Sequence, residues 1–211
     1  MKVTQAKIHE APLSRAKFPK NGDLPIFVAS DTGISSLFCA AAEWRMEIDM
    51  NRVSKHNYYL DIAQTVAERS TCLRKMYGAI IVKNDSIIST GYNGAPRGRK
   101  NCSDVGSCMR DKLNIPRGER YELCRSVHAE ANAIIAASRE QMLGATLYMV
   151  SVNAKTHELE PGTSSCMMCK RQVINAGIST VVIRDDKENF RVIDVNDWIE
   201  NDDSLSGVFG Y

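Results

Sequence analysis

The stretch CMMCKRQVINAGISTVVIR, residues 166–184, reads as a helix, a stop and a strand. The helix runs from about Cys166 to Ala176, Gly177 offers the left-handed C-terminal cap, and the β-branched run 180–184 follows directly. The same sequence of elements precedes it. Residues 127–138, rich in Ala and Ile, predict a helix, and residues 146–150 (TLYMV) predict a strand. Further upstream, residues 78–82 (GAIIV) and 86–90 (SIIST) flank Lys83-Asn84-Asp85, polar turn residues between β-branched runs, which predicts a hairpin. Tyr58, Leu60, Ile62, Ala63, Val66 and Ala67 repeat at helical spacing and predict a helix from Ser54 to near Ser70. Downstream, a strand is expected around 191–193 and a short helix around Trp198. The order α-β-β-α-β-α-β describes an α/β protein, a mixed sheet with a leading hairpin and helical crossovers.

Two regions fall outside this pattern. Residues 1–49 carry no motif and read as an extension, with an apolar stretch at 34–44 that is expected to be partly helical. Met50 is a candidate start, since the patterned domain, 50–211, begins there. Residues 93–126 form a long connection with Gly and Cys but no periodicity, uncommon in a compact domain unless something pins it.

The bulk numbers narrow the function. The 211 residues fit one globular domain, 44% hydrophobic and 25% charged. A net charge of +2 argues against a protein that tracks a nucleic-acid polymer and suits a small charged substrate. No apolar run is long enough for a membrane span, and no apolar core follows the basic N-terminus as in a secretory signal. A cytoplasmic location is therefore expected. Seven cysteines in a reducing compartment read as metal ligands or buried apolar residues rather than disulfides.

The chemistry gathers at two helix starts, His128-Ala129-Glu130 and Cys166-Met-Met-Cys169. Cysteines three apart share a helix face, so both thiolates can reach one ion, and His128 supplies a third ligand. Three protein ligands leave a fourth position for water, the pattern of a catalytic zinc site, and zinc lowers the pKa of such a water to about 7. His128 and Glu130 are two apart and converge only in the first turn of a helix. There the free N–H groups and the helix dipole favour anions and depress cysteine pKa. Glu130 is not needed as a ligand and fits a proton shuttle between the water, ring N3 and the leaving ammonia. Either motif alone is weak: C-x-x-C is often a structural half-site or a redox pair. Together, each opening a helix with a strand between them, they point to a zinc hydrolase.

Cys72, Cys102, Cys108 and Cys124 are candidates for a second, structural zinc that pins the long connection, since four thiolates make a closed tetrahedral site. The alternative is four reduced cysteines packed as small apolar residues. Cys39 stands apart.

At this point the sequence resembles the deoxycytidylate deaminase family. The likeness covers residues 70–183 and includes STCLR (70–74), GAIIV (78–82), GYNGAPRG (91–98), Asn101-Cys102, HAEANAI (128–134), Cys166-Met-Met-Cys169 and Ala176-Gly-Ile178. The HAE and CxxC parts are shared by cytidine, tRNA-adenosine, guanine and riboflavin-pathway deaminases; GYNGxPxG followed by cysteines is narrower. The resemblance implies a three-layer α/β/α cytidine deaminase-like fold, a catalytic zinc, a homo-oligomer, and conversion of dCMP to dUMP and ammonia. It also implies zinc ligation by His128, Cys166 and Cys169, a contact from Asn93 to the sugar, and the Ala129 backbone N–H beside the base. Arg74 is either a ligand for the 5′-phosphate or a solvated surface charge. In some relatives dCTP and dTTP are allosteric effectors, which makes them candidate effectors here. Two departures stand out. The family's Pro before the first ligand cysteine is Ser165, expected to cap the helix through its hydroxyl, and the excursion 153–163 is longer than expected.

Two other readings compete. One is a deaminase of another nucleoside, nucleotide or polymeric base, to which residues 97–125 lend eight Lys/Arg against four Asp/Glu. The other is a non-catalytic zinc or nucleotide-sensing module, against which the intact Glu130 speaks.

Overall fold

The computed structural model describes residues 52–116 and 118–201. The expected extension 1–49 with its apolar stretch, Cys39 and Met50 all lie outside the described residues.

Among the described residues five strands form one sheet in the order β2-β1-β3-β4-β5: β1 (Lys75–Lys83), β2 (Ser86–Tyr92), β3 (Thr146–Asn153), β4 (Thr180–Arg184) and β5 (Phe190–Asp194). Only β3 and β4 run parallel; β1 is antiparallel to β2 and β3, and β5 to β4. The leading hairpin turns at Asn84 and Asp85, both at positive φ (51° and 60°), the conformation a two-residue hairpin turn demands and Asn and Asp tolerate. β1 starts earlier than expected because Lys75, Met76 and Tyr77 pair with β3, and β2 ends later because Gly91 and Tyr92 pair with Ala79 and Gly78.

Alternation along the strands sends side chains to two cores. Ile80, Val82, Tyr148, Val150 and Val182 pack under α1 (Lys55–Ala67) through Leu60, Ala63 and Ala67. On the opposite face, Ala79, Ile81, Leu147, Met149, Val181 and Ile183 pack with Ala129, Ala133 and Val173. The result is α/β/α in three layers, with β1, β3 and β4 buried on both faces. Ser54 caps α1, its hydroxyl accepting from the Asn57 N–H at 3.2 Å. Arg184, at the end of β4, fastens the same helix to the sheet, donating to Asp61 at 2.6 Å, Gln64 at 3.0 Å and the Asn57 carbonyl at 3.2 Å.

The connection 93–126 is more ordered than its sequence suggested. It holds two single-turn helices, α2 (Cys102–Val105) and α3 (Met109–Lys112), and a 3-10 turn at Tyr121–Leu123. Hydrogen bonds tie it down: Thr71 to Asn101 at 3.1 Å, Arg125 to the Lys100 carbonyl at 2.9 Å, and a backbone bridge between Gly94 and Val127. The helix expected over 127–138 is shorter, α4 (Ala129–Ile135), and a separate turn not expected from the sequence, α5 (Arg139–Met142), follows it. The break has a local cause. Ser138 caps α5 and forms a capping box with Gln141, which competes with continuation of α4. Helix α6 (Met167–Ala176) ends at Gly177 with φ 78°, and α7 (Val195–Glu200) carries Trp198. Among the described residues no helix is long and apolar enough to cross a membrane.

Candidate active site

Helices α4 and α6 begin side by side at one end of the sheet. His128 is the N-cap of α4 and Cys166 the N-cap of α6, both in extended backbone. The Nδ1 of His128 lies 3.4 Å from the Cys166 sulfur and 3.3 Å from the Cys169 sulfur. A tetrahedral zinc with bonds of about 2.0 Å to nitrogen and 2.3 Å to sulfur holds such atoms about 3.5 Å apart, so the three donors fit the ion. Among the described residues this trio alone brings three candidate ligand atoms within 4.8 Å of one another.

Glu130 sits in the first turn of α4, 4% exposed. Burial raises its pKa, against the lowering effect of the His128 charge. Without a metal, a hydrogen bond from Cys169 and the His128 ring hold the Cys166 thiol down to about 4, and Cys169 is pushed up in turn. Burial pulls His128 down, but its bond to Cys166 and the nearby Glu130 outweigh this and leave its pKa raised. Cys166 is thus poised to carry negative charge at a helix start.

One pocket collects the remaining candidates. Arg74, Asn93, Ala129, Cys72, Cys102, Cys108 and Cys124 line it together with His128, Glu130 and Cys166; Cys169 is fully buried behind them. The Asn93 amide is largely committed to the fold. Its oxygen accepts from Ser70 at 2.6 Å and from the Tyr77 N–H at 2.8 Å, and its nitrogen donates to the Lys75 carbonyl at 2.9 Å. One N–H remains for a ligand, so it donates but no longer accepts. Arg74 lies 3.4 Å from Asp111. Burial raises the pKa of Cys102, and the neighbouring Cys72, Cys124 and Cys108 push it further.

The sequence reading overlooked Arg110, Tyr121, Arg125 and Ser126, which line the same pocket. They sit in the aperiodic connection, where only the local excess of basic residues hinted at them. The expectation for Ser165 is corrected: Cys166, not Ser165, is the N-cap, and the buried Ser165 hydroxyl makes no capping bond. It is turned toward Glu130 instead.

The long excursion is clamped onto the sheet edge. Asp185 accepts from the Gly162 N–H at 2.9 Å and from Arg191 at 2.7 and 3.0 Å, and Arg191 also donates to the Thr163 carbonyl. The Arg191 bond holds the Asp185 pKa down, assisted by the Gly162 N–H. A carboxylate with a lowered folded pKa adds stability above the ordinary aspartate range, and this stability is lost as pH falls through the folded value. Asp185→Asn is therefore expected to cost about 1 kcal/mol at neutral pH. In urea unfolding at pH 7 and pH 3, the gap from wild type should close at the lower pH.

A mixed sheet between two helical layers, with a His/Cys/Cys trio and a buried carboxyl at paired helix starts, defines the zinc-binding deaminase class. The family model for the cytidine and deoxycytidylate deaminase zinc-binding region matches residues 53–184, and the chain belongs to that family. Similar proteins include the deoxycytidylate deaminase of Mycobacterium phage D29, 38% identical over 138 residues, 63% of this chain and 96% of that one. The deoxycytidylate deaminases of Schizosaccharomyces pombe and Saccharomyces cerevisiae are 33% and 34% identical over 62% and 67% of this chain. The matches span only 37% and 42% of those yeast proteins. A crystal structure of the dCMP deaminase from cyanophage S-TIM5 covers 64% of this chain and 86% of its own, at 26% identity and a TM-score of 0.45.

Proposed function

We propose that the protein hydrolyses the 4-amino group of dCMP, yielding dUMP and ammonia, with zinc held by His128, Cys166 and Cys169. The observation that carries this reading is the buried Glu130 carboxyl in the same pocket as a donor set spaced for one tetrahedral ion. Zinc supplies there the Lewis acidity that makes water nucleophilic near neutral pH. Glu130 does the proton work: it takes the proton of the attacking water, delivers it to ring N3, and protonates the departing amine. Its burial favours the protonated carboxyl, which suits the donating half of that cycle. The Ala129 N–H, at the first turn of α4, is free of an intrahelical partner and faces the base. Asn93 offers its remaining N–H to a sugar hydroxyl, and Arg74 exchanges Asp111 for the 5′-phosphate.

Similarity to deoxycytidylate deaminases supports the choice of substrate. The same reading includes a structural zinc on Cys72, Cys102, Cys108 and Cys124, assembly as a homo-oligomer, dCTP and dTTP as effectors, and a cytoplasmic location. The four thiols line the same pocket, and Cys72, Cys124 and Cys108 act electrostatically on Cys102, which supports the second zinc.

Ammonia release from dCMP, deoxycytidine, dCTP, CMP and a short RNA tests the assignment. The expected order puts dCMP first, with deoxycytidine slower by roughly ten- to a hundredfold, the worth of one or two charge-assisted phosphate bonds. Arg74→Met should raise KM for dCMP and leave deoxycytidine turnover unchanged. Equal rates on dCMP and deoxycytidine refute the monophosphate assignment, and preferred RNA turnover that falls steeply with salt replaces it with the polymer reading.

A further inference from the structure

We infer that Arg110 is a positioning residue that sets the orientation of His128 through the ring of Tyr121. The inference rests on the reading of His128 as a zinc ligand. A ligating histidine ordinarily has its ring fixed by a hydrogen bond from its second nitrogen to a carboxylate, carbonyl or water. His128 turns Nδ1 toward the two sulfurs, and among the described residues no protein group hydrogen-bonds its Nε2. What meets the ring is Tyr121, with centroids 5.1 Å apart and planes at 89°, the edge-to-face geometry aromatic rings prefer.

Tyr121 lies in a short 3-10 turn, with no long helix or strand to hold it. Arg110 provides the hold. Its guanidinium carbon lies 4.5 Å from the Tyr121 ring centroid. The side chain is 6% exposed, and one guanidinium nitrogen donates to the carbonyls of Pro116 at 2.5 Å and Glu119 at 2.7 Å. Among the described residues Arg110 has no carboxylate within ion-pairing distance, so the carbonyls and the ring are what compensate its buried charge. A planar guanidinium that stacks on a ring while one of its nitrogens bonds two carbonyls is a task for arginine and not for lysine. The support therefore runs from the Pro116 and Glu119 carbonyls to Arg110, from there to Tyr121, and from the Tyr121 ring to the metal ligand. It gives the connection 93–126 a direct hold on the zinc site.

Competition for zinc against a chromophoric chelator tests this, with Cys166→Ser as the baseline that lacks the site. Tyr121→Phe keeps the ring and should bind zinc as wild type does. Tyr121→Leu and Arg110→Met should each weaken zinc binding by roughly ten- to a hundredfold, as loss of a ligand's supporting group does, and Arg110→Lys should not restore it. The double variant should bind no more weakly than either single one, because both act on one ring. Wild-type affinity in Tyr121→Leu, or losses that add in the double variant, would overturn the inference. Should Arg110→Met fail to fold, the comparison of Tyr121→Phe with Tyr121→Leu decides alone. Wild-type protein that binds no zinc beyond the Cys166→Ser baseline removes the metal reading itself, a result separable from equal affinities among zinc-binding variants.

Discussion

Replacing Glu130 by glutamine is expected to cut ammonia release from dCMP by roughly a hundred- to ten-thousandfold, the usual worth of a positioned general acid–base, while zinc remains bound. Glutamine keeps the shape of the side chain but can neither take nor give the proton. Retention of zinc separates this from loss of a ligand, because His128, Cys166 and Cys169 supply the donor set without Glu130. The same substitution has a second signature in metal-free protein. Burial raises the folded pKa of Glu130, so its contribution to stability is fully present below the pKa of an unfolded glutamate and is lost as pH rises through the folded value. Glutamine does not titrate. The melting temperature of metal-free Glu130→Gln, measured against metal-free wild type, should therefore gain ground from pH 5 to pH 8. A flat difference across that range contradicts the buried carboxyl, and unchanged turnover contradicts the shuttle.

Gly91→Ala carries the second large effect. A Cβ built on Gly91 would lie 2.3 Å from both the Ala129 carbonyl oxygen and the Ala133 nitrogen. Both are backbone atoms of α4, so no side chain can swing away and the whole helix must retreat from β2. The expected loss is about 3 kcal/mol or more, at the upper end for overpacking. Because α4 carries His128 and Glu130, the folded fraction should also lose turnover. Gly78 is the control. Its Cβ would lie 1.9 Å from the Ala63 oxygen on α1, across the sheet from the site. Gly78→Ala should match Gly91→Ala in urea unfolding yet keep its activity per folded molecule. Wild-type stability in Gly91→Ala would show that the helix does not lie this close.

These two glycines mark a limit of sequence reading. Gly78 was visible at the start of one expected strand and Gly91 just past the end of the other, but a close approach of backbones is a property of two distant segments. Legible features had local causes. Gly177 ends α6 because glycine accepts the left-handed cap, and β4 begins three residues later with Thr180-Val-Val-Ile. The convergence of His128, Cys166 and Cys169 was legible because i and i+3 cysteines share a face and because His128 and Glu130 can converge only at a helix start. The short helix α5 also has a local sign that was passed over, Ser138 with Gln141 three residues on. The connection 93–126 was opaque for a physical reason: Thr71, Asn101, Lys100 and Arg125 hold it through partners 25 and 30 residues apart. Asn93 shows the same division. Its place at the pocket was expected through the family resemblance, but the engagement of its amide by Ser70, Tyr77 and Lys75 was not readable.

The central claim is that a zinc ion on His128, Cys166 and Cys169 supports hydrolysis of dCMP. The most direct test is to strip the protein of metal, add zinc back in steps, and follow dUMP and ammonia together with zinc bound. Turnover should vanish on stripping and return in proportion to zinc at that site, and zinc should not restore Cys166→Ser. Full turnover by protein that holds no zinc, or none at any zinc loading, would contradict the account.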